Sequence, residues 1–274
     1  MNVLEREMVE LLRSLREQYG VFEIKAEYEN EGCREPEMMR LKDVADEAGL
    51  PIILKIGGVE AVTDIYSALT LGVNGIIAPM AETAFATSKF LGAVNTFVPE
   101  DNQRDIEFAI NIETITAYEN FDKMLELKDI ATLKSITVGR VDFAASLGKD
   151  RGFVNSSEML RYCTEIFTKA KAKGLRTAVG GAISLDSISF IRQLVEMNLL
   201  DKYETRKLVF HGDAIRNAEK GLLEGIKFEL LWLKSKRRYY HRIKNEDEKR
   251  IEMLEKRVAF QQVPSVSSAP SISQ

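Results

Sequence analysis

Residues 106–143 read IEFAINIETITAYENFDKMLELKDIATLKSITVGRVDF, and this stretch contains one complete strand, helix and strand. The apolar runs Ile106 to Glu113 and Ser135 to Phe143 predict two buried strands. Between them, Ile115 to Glu126 has the apolar spacing of an amphipathic helix. An acidic residue closes each strand, Glu113 in the first and Asp142 in the second. The carboxyl ends of parallel strands meet at one edge of a sheet, so the two carboxylates are expected to converge.

The same alternation continues on both sides of this unit, which is typical of parallel βαβ architecture. Further strands are predicted at Val21 to Glu29, Pro51 to Ile56, Gly75 to Pro79, Arg176 to Gly180 and Lys207 to His211. Further helices are predicted at Leu4 to Tyr19, Glu37 to Ala48, Val59 to Leu71, Thr83 to Leu91, Ser156 to Lys173 and Leu185 to Met197. About seven repeats result. The expected fold is an α/β protein, a (β/α)8 TIM barrel whose first repeat is missing or atypical.

The first predicted strand alternates strictly between apolar and charged side chains. Glu23, Lys25, Glu27 and Glu29 fall on one face, because side chains alternate with period two along a strand. A half-exposed edge strand would show the same pattern. Lys55 ends the next strand and, together with the carboxylates at the later strand ends, favours a barrel with a polar mouth.

Composition excludes several classes of function. The chain has 274 residues, 45% of them hydrophobic, and a net charge of −4, so a nucleic-acid partner is not expected. The charged N-terminus does not resemble a signal peptide, and no apolar run is long enough to span a membrane. Cys33 and Cys163 have no metal-ligand spacing and are interpreted as thiols of a reducing, cytoplasmic location.

Glu113 and Asp142 together supply hard oxygen ligands, which suit Mg²⁺ or Mn²⁺ and leave coordination positions for a chelating substrate. The alternative is that each carboxylate caps the following helix or pairs with a lysine.

Three segments resemble the HpcH/HpaI aldolase and citrate-lyase β-subunit family of metal-dependent barrels. Ile110 to Thr114 is similar to the family's Gln-Ile-Glu-Thr strand, and Gly139 to Gly148 is similar to its Gly-x-x-Asp-Leu-x-x-x-x-Gly segment. Leu71 to Met80 resembles the family's Gly-x-x-x-Leu-x-x-Pro-Met strand. The three segments occur in the family's order within residues 20–215.

The resemblance implies a divalent-metal-dependent carbon-carbon lyase that acts through a pyruvate-like enolate on an oxo-acid or sugar-derived substrate. Glu113 and Asp142 would hold the Mg²⁺ or Mn²⁺ ion. Two alternatives remain open, a citryl- or malyl-CoA type of acyl-CoA lyase and a non-catalytic relative that keeps the barrel for binding.

Several positions depart from the family's pattern. Asn30 occupies the place of the family's histidine and cannot transfer a proton, which leaves Glu27, Glu29, a metal-bound water or His211 as the candidate base. Lys55 stands where the family has a substrate-binding arginine.

Arg140 is the residue expected to restore the missing guanidinium, because it has the same strand parity as Asp142; a purely structural salt bridge is the alternative. Asn111 and Gly139 complete the expected substrate-binding set. A Schiff base on Lys25 is a further possibility, but the neighbouring Glu23 and Glu27 disfavour the free amine that it requires.

The pattern changes near the C-terminus. Residues 1–232 are predicted to form the barrel domain, 233–260 a charged helical extension, and 261–274 a disordered Ser/Pro-rich tail. The extension is too polar to be stable without a partner, so a homo-oligomer formed through the C-terminal helix is expected. The basic stretch 234–244 is interpreted as a solvated helix face, with binding to an acidic partner as the alternative.

Overall fold

The computed structural model describes residues 1–261 and shows a closed barrel of eight strands. In chain order the strands are β1 (Val21–Glu27), β2 (Ile52–Lys55), β3 (Gly75–Ala78), β4 (Glu107–Ile112), β5 (Leu133–Gly139), β6 (Arg176–Gly180), β7 (Lys202–Glu204) and β8 (Leu208–His211). The expected barrel is therefore confirmed.

Helices surround this barrel. They are α1 (Val3–Tyr19), α2 (Glu35–Ala48), α3 (Val62–Leu71), α4 (Ala84–Phe97), α5 (Asn102–Asp105), α6 (Ile115–Leu125), α7 (Arg140–Ser146), α8 (Ser157–Ala172), α9 (Ile188–Glu196) and α10 (Ala218–Gln261). Short 3₁₀ turns lie at Ile130–Thr132, Arg151–Asn155, Leu185–Ser187 and Gly212–Asn217.

Strand direction departs from the expected repeat. Strands β1 to β7 pair in parallel, whereas β8 is antiparallel to both β7 and β1. The strand missing from the sequence interpretation is β7 and does not lie near the N-terminus. It was overlooked because β7 has three residues, two of them charged, and so forms no apolar run. A three-residue turn joins β7 to β8 in place of a helix.

The opening helix behaves as its sequence predicts. Asn2 and Glu5 form a capping box at the start of α1, and Gly20 ends the helix in the left-handed conformation with φ of 69°. These are the residue types that helix termini favour. The predicted apolar stripe lies in the core, where Met8 and Leu12 are fully buried.

One predicted strand ends too late in the sequence interpretation. Strand β5 stops at Gly139, and Arg140 to Ser146 form the short helix α7. In a helix, residues two apart do not share a face. The parity argument that placed Arg140 beside Asp142 is therefore wrong.

Beyond the barrel, α10 continues as one helix from Ala218 to Gln261. The predicted tail, 261–274, lies outside the described residues apart from Gln261. Among the helices of residues 1–261, none combines the length and the apolar character needed to cross a membrane.

Candidate functional site

A cavity of about 690 Å³ opens where the parallel strands β1 to β7 end. Its lining includes both predicted metal ligands and residues from six of these strands or the loops that follow them, together with one face of α10. Its polar and charged lining residues include Lys25, Glu27, Asn30, Lys55, Asn111, Glu113, Thr137, Asp142, Arg151, Glu204 and Arg206. This is the end of the barrel at which TIM-barrel enzymes place their catalytic groups.

Glu113, the first residue after β4, is almost completely buried, with 1% of its surface exposed. Its Oε1 accepts a hydrogen bond from the backbone N–H of Met80 at 3.0 Å, and its Oε2 accepts one from Nδ2 of Asn111 at 3.0 Å. Met80 has a positive φ of 51°, an unfavourable conformation for a residue with a side chain. The local backbone is thus strained at the point where it contacts this carboxylate.

Burial raises the pKa of Glu113, and the nearby Asp142 raises it further, while Lys55, the Met80 amide and Asn111 oppose the shift. A carboxylate in this situation gains from an additional positive charge.

Gly139 shapes the same position. A Cβ atom on Gly139 would lie 2.5 Å from Oε2 and 2.9 Å from Cβ of Glu113, too close for any side chain. Gly139 therefore acts by leaving room for Glu113. Its sequence-predicted role was substrate binding; it does line the cavity, and clearance for the carboxylate is the role that its geometry explains.

Asp142 lies in the first turn of α7, with its side chain exposed on the cavity wall. Within residues 1–261 this side chain makes no hydrogen bond or ion pair, so it does not cap a helix. Asn111 presents a second unpartnered group, because its buried Oδ1 atom accepts no hydrogen bond from the described residues. Buried amide oxygens rarely lack a partner, and Asn111 is one of the residues that line the cavity.

Lys55 ends β2 and is bound from two sides. Its Nζ lies 3.0 Å from Oε2 of Glu29 and 3.6 Å from Oε2 of Glu113. Glu29 and Asn30 follow β1 in an exposed turn. The sequence-predicted residues Glu29, Lys55, Asn111, Glu113 and Asp142 are therefore brought together.

A second ion-paired group lies deeper in the cavity. The Nζ of Lys25 lies 3.1 Å from Oε1 of Glu27 and 3.0 Å from Oε2 of Glu204. Burial lowers the pKa of Lys25, but the two carboxylates outweigh it and raise the pKa well above its usual range. A protonated lysine is a poor Schiff-base nucleophile, which disfavours a Schiff-base mechanism on Lys25.

Glu204 was missed by sequence reasoning, as were Arg151 and Arg206. Glu204 lies on β7, which has no strand signature, and the two arginines lie in a 3₁₀ turn and a hairpin turn. Their charge alone gave no indication that these segments face the cavity.

The structure contradicts the catalytic and substrate-binding roles expected of Arg140. Its side chain is fully buried and does not line the cavity. The guanidinium donates to the carbonyl oxygens of Gly180, Val154 and Gly181 at 3.1, 3.0 and 2.8 Å, and to Oδ1 of Asn155 at 2.7 Å. Burial lowers its pKa to about 10. Arg140 ties together the loops after β5 and β6, a structural role without the salt bridge named as the alternative.

His211 is also excluded from the cavity. It does end a strand as predicted, but β8 runs antiparallel, so this end lies at the opposite side of the barrel, paired with Lys202 at the start of β7. The imidazole ring stacks on Phe22 with ring centroids 3.9 Å apart. A group at this end cannot reach a substrate bound near Glu113.

The donor set fits a hard divalent cation. Glu113, Asp142 and the unpartnered Oδ1 of Asn111 are all oxygen donors, as Mg²⁺ requires. Within the described residues no three His, Cys, Asp or Glu side chains are close enough to hold an ion by themselves. A site of two carboxylates would therefore depend on water and substrate oxygens, which is usual for Mg²⁺.

Solved structures share this fold at low sequence identity. An HpcH/HpaI aldolase from Desulfitobacterium hafniense superposes with a TM-score of 0.58 and 16% identity over 82% of this chain and 90% of that chain. A citrate synthase, a variant of SbnG, superposes with a TM-score of 0.55 and 16% identity over 72% of this chain and 81% of that chain. An HpcH/HpaI aldolase/citrate lyase family protein from Burkholderia cenocepacia superposes with a TM-score of 0.52 and 12% identity over 80% of this chain and 99% of that chain.

No protein-family model matches the sequence, and no curated protein does. The chain is therefore an α/β barrel of the kind seen in HpcH/HpaI aldolases. At these identities the likeness concerns the fold, and function has to be argued from the site.

Proposed function

We propose that this protein is a divalent-metal-dependent carbon-carbon lyase that acts on an oxo acid through a pyruvate-like enolate. The observation that carries the proposal is the pair Glu113 and Asp142, two carboxylates on one cavity wall beside the unpartnered Oδ1 of Asn111. One protein of similar fold, from Desulfitobacterium hafniense, is an HpcH/HpaI aldolase, and the reaction proposed from the site is of the same class.

Glu113 and Asp142 would hold Mg²⁺ or Mn²⁺, with Oδ1 of Asn111 as a further donor. The bound ion would polarise the substrate's carbonyl group and offset the negative charge of its enolate. Asn111 and Met80 fix the orientation of the Glu113 carboxylate through their hydrogen bonds. Gly139 leaves the space that this orientation needs.

Lys55 is the group proposed to hold the substrate carboxylate. Its ammonium lies beside Glu113 and within the cavity wall, and an ammonium attracts a carboxylate as a point charge. The guanidinium groups of Arg151 and Arg206 line the same cavity. They suit a second anionic group on the part of the substrate that the reaction releases or accepts.

Glu29 is the proposed proton-transfer residue. His211 lies at the other end of the barrel, and Glu27 is held by Lys25. Glu29 does not itself line the cavity, but its partly exposed carboxylate lies 3.0 Å from Lys55, which does. Its Oε2 would accept or return a proton at the substrate's hydroxyl group or carbon.

The test is exchange of the methyl protons of pyruvate with deuterated water, followed by NMR, because this exchange requires the enolate but no second substrate. Exchange should need Mg²⁺ or Mn²⁺ and should stop in a chelator. Glu113→Gln combined with Asp142→Asn should lower the rate by ~10³-fold or more.

Asp213→Asn is the matched control, since Asp213 is an exposed carboxylate that follows β8 at the opposite end of the barrel. It should leave the rate unchanged. Exchange that survives chelation, or that survives the double substitution in the folded protein, would exclude the proposed function. A Mn²⁺ titration of the same variants separates loss of metal binding from loss of chemistry.

A further inference from the structure

Helix α10 has an apolar stripe that the barrel does not cover. Its buried residues, among them Phe228, Trp232 and Ser235, face the rest of the chain. A different set of side chains, all between 43% and 61% exposed, lies on another face of the helix: Leu223 and Ile226, which also line the cavity, and then Leu230, Leu233, Ile251, Leu254 and Val258. Exposed apolar side chains aligned on one face indicate an interaction surface.

The spacing of this stripe is that of a coiled coil. Its members recur at alternating intervals of three and four residues, the a and d positions of a heptad. If Leu223 is an a position, the remaining a and d positions in the middle of the stripe are Arg237, Tyr240, Lys244 and Asp247. The register is continuous from Leu223 to Val258, and polar residues interrupt it near the centre.

The distal part of α10 contacts little of its own chain. The last contacts with α2 are made by Lys236, whose Nζ lies 2.8 Å from Glu37, and by Tyr240, whose hydroxyl group donates to the same carboxylate. From residue 241 to 258, every side chain except the partly buried Met253 is exposed. Helices owe most of their stability to tertiary packing, so this segment needs a partner.

The sign of the charge changes along α10, from basic in residues 234–244 to acidic in residues 246–255. Residues 234–244 contain six basic and no acidic side chains, namely Lys234, Lys236, Arg237, Arg238, Arg242 and Lys244. Residues 246–255 contain five acidic side chains, Glu246, Asp247, Glu248, Glu252 and Glu255, against two basic ones. A second copy of the helix, running in the opposite direction, would place acidic residues against basic ones on both sides of the point where the sign changes.

We propose that the distal half of α10 forms an antiparallel two-stranded coiled coil with a second copy of this chain, related by a two-fold axis between Asn245 and Glu246. In this register a positions of one helix meet d positions of the other. The resulting layers are Leu233 with Val258, Arg237 with Leu254, Tyr240 with Ile251 and Lys244 with Asp247, each formed twice. The central layer pairs opposite charges, as polar residues that specify a register do.

The flanking e positions agree with this register. Lys234 meets Glu255 of the second copy, and His241 meets Glu248 of the second copy. In a parallel dimer in the same heptad register, Lys234 would not come near Glu255, because the two residues lie about six helical turns apart. On the g side, Lys236 is already bound to Glu37 of its own chain, so the e side determines the pairing direction.

Sedimentation velocity of the full chain tests the association, and a dimer is expected. Leu254→Lys should convert the protein to a monomer, because it places a second positive charge beside Arg237 of the other copy in two layers of the seam. Met253→Lys is the matched control, one residue away and at a c position outside the seam, and it should remain dimeric. Both positions contact little of the barrel, so circular dichroism should show a folded barrel in each.

Charge reversal tests the direction. Lys234→Glu and Glu255→Lys should each weaken the dimer by ~tenfold, since each creates two like-charge contacts. The double variant should restore the original affinity. Lys256→Glu, an equal change at an outward f position, should have no effect. Because the seam is separate from the cavity, metal-dependent proton exchange serves as an independent readout.

Three results would overturn the proposal. They are a wild-type chain that stays monomeric at every concentration measured, an assembly larger than a dimer, and a double charge reversal that fails to restore association. A monomeric chain whose basic stretch binds nucleic acid would assign residues 234–244 to a different partner.

Discussion

Charged side chains occupy two regions of this barrel, and the two regions differ in how completely their charges are paired. In the enclosed region, Lys25 is held between Glu27 and Glu204, and Lys202 lies 3.0 Å from Glu107 and 3.5 Å from Glu23. At the mouth, Lys55 faces two carboxylates, those of Glu29 and Glu113. Asp142 is exposed there without a partner among the described residues, and Oδ1 of Asn111 accepts no hydrogen bond.

This difference separates structural charge from functional charge. A buried charge that is fully paired fixes the positions of strands and has little capacity for a ligand. At the mouth, burial raises the pKa of Glu113, and the nearby Asp142 forms no ion pair with the described residues, so this region retains capacity to bind a cation. Substitutions in the enclosed region should therefore lower stability, and substitutions at the mouth should lower activity.

The largest effect on stability is expected for Arg140→Ala, which belongs to the enclosed class although it lies outside the barrel lumen. The substitution leaves buried carbonyl oxygens of three residues without donors and creates a cavity. The free energy of unfolding should fall by ~4 kcal/mol, as measured by urea denaturation. If Arg140 instead held the substrate, KM would rise with stability unchanged.

A smaller effect, on activity, is expected for Lys55→Met. Loss of the ammonium should lower kcat/KM for an oxo-acid substrate by ~10²-fold, mainly through KM. Steady-state kinetics check this expectation, and Lys55→Arg should recover part of the loss. A change confined to stability would place Lys55 with the enclosed charges.

Glu27→Gln should destabilise the protein in a pH-dependent way, by ~2 kcal/mol near neutral pH. Burial raises the pKa of Glu27, but Lys25 outweighs it and leaves the pKa below the ordinary value of 4.5. The contribution of this ion pair is therefore complete above pH 4.5 and is lost as the pH falls through the lowered pKa. The difference in stability between wild type and variant should shrink accordingly.

Glu23→Gln provides the contrast on the same strand face. Burial, reinforced by Glu107 and Glu204, raises the pKa of Glu23 against the effect of Lys202. Ionising Glu23 therefore costs stability above that pKa, so this variant should compare better with wild type at neutral pH than at acidic pH. Urea denaturation at both pH values gives the difference in stability between wild type and each of the variants Glu23→Gln and Glu27→Gln. The same pH dependence for both variants would contradict the assignment.

The smallest effect is expected for His211→Ala. It removes one stacking contact with Phe22 at the end of the barrel opposite the cavity, so stability should fall by ~1 kcal/mol or less and the proton-exchange rate should not change. A marked loss of proton exchange would instead show that His211 contributes to the site at the other end of the barrel.

Much of the fold could be predicted because it depends on local patterns. Strand β6 was predicted at its exact bounds, Arg176–Gly180, and the stripe of α1 was placed correctly, since apolar periodicity reports which faces are buried. Strand β7 could not be found, because Lys202 and Glu204 are buried by ion pairs with distant residues. No local pattern encodes that pairing.

Some residues of the candidate site could likewise be predicted from local patterns, and others could not. Glu113 and Asp142 were found because strand ends and a family-like motif mark them. The position of Arg140 depended on where β5 becomes α7, one residue before Arg140, and the position of His211 depended on the direction of β8. Both are decided by how the last strands close the barrel, and single-segment patterns do not contain that information.

The sequence by itself determined the repeating strand and helix order, the polar barrel face and the two carboxylates, because each follows from spacing along one segment. Tertiary structure alone decided which charges are paired and which remain available. In the folded chain Lys25 lies between Glu27 and Glu204, Arg140 is buried outside the cavity, and His211 lies at the opposite end of the barrel. The physical reason is that electrostatic pairing depends on distances between segments remote in the chain, which closure of the barrel sets.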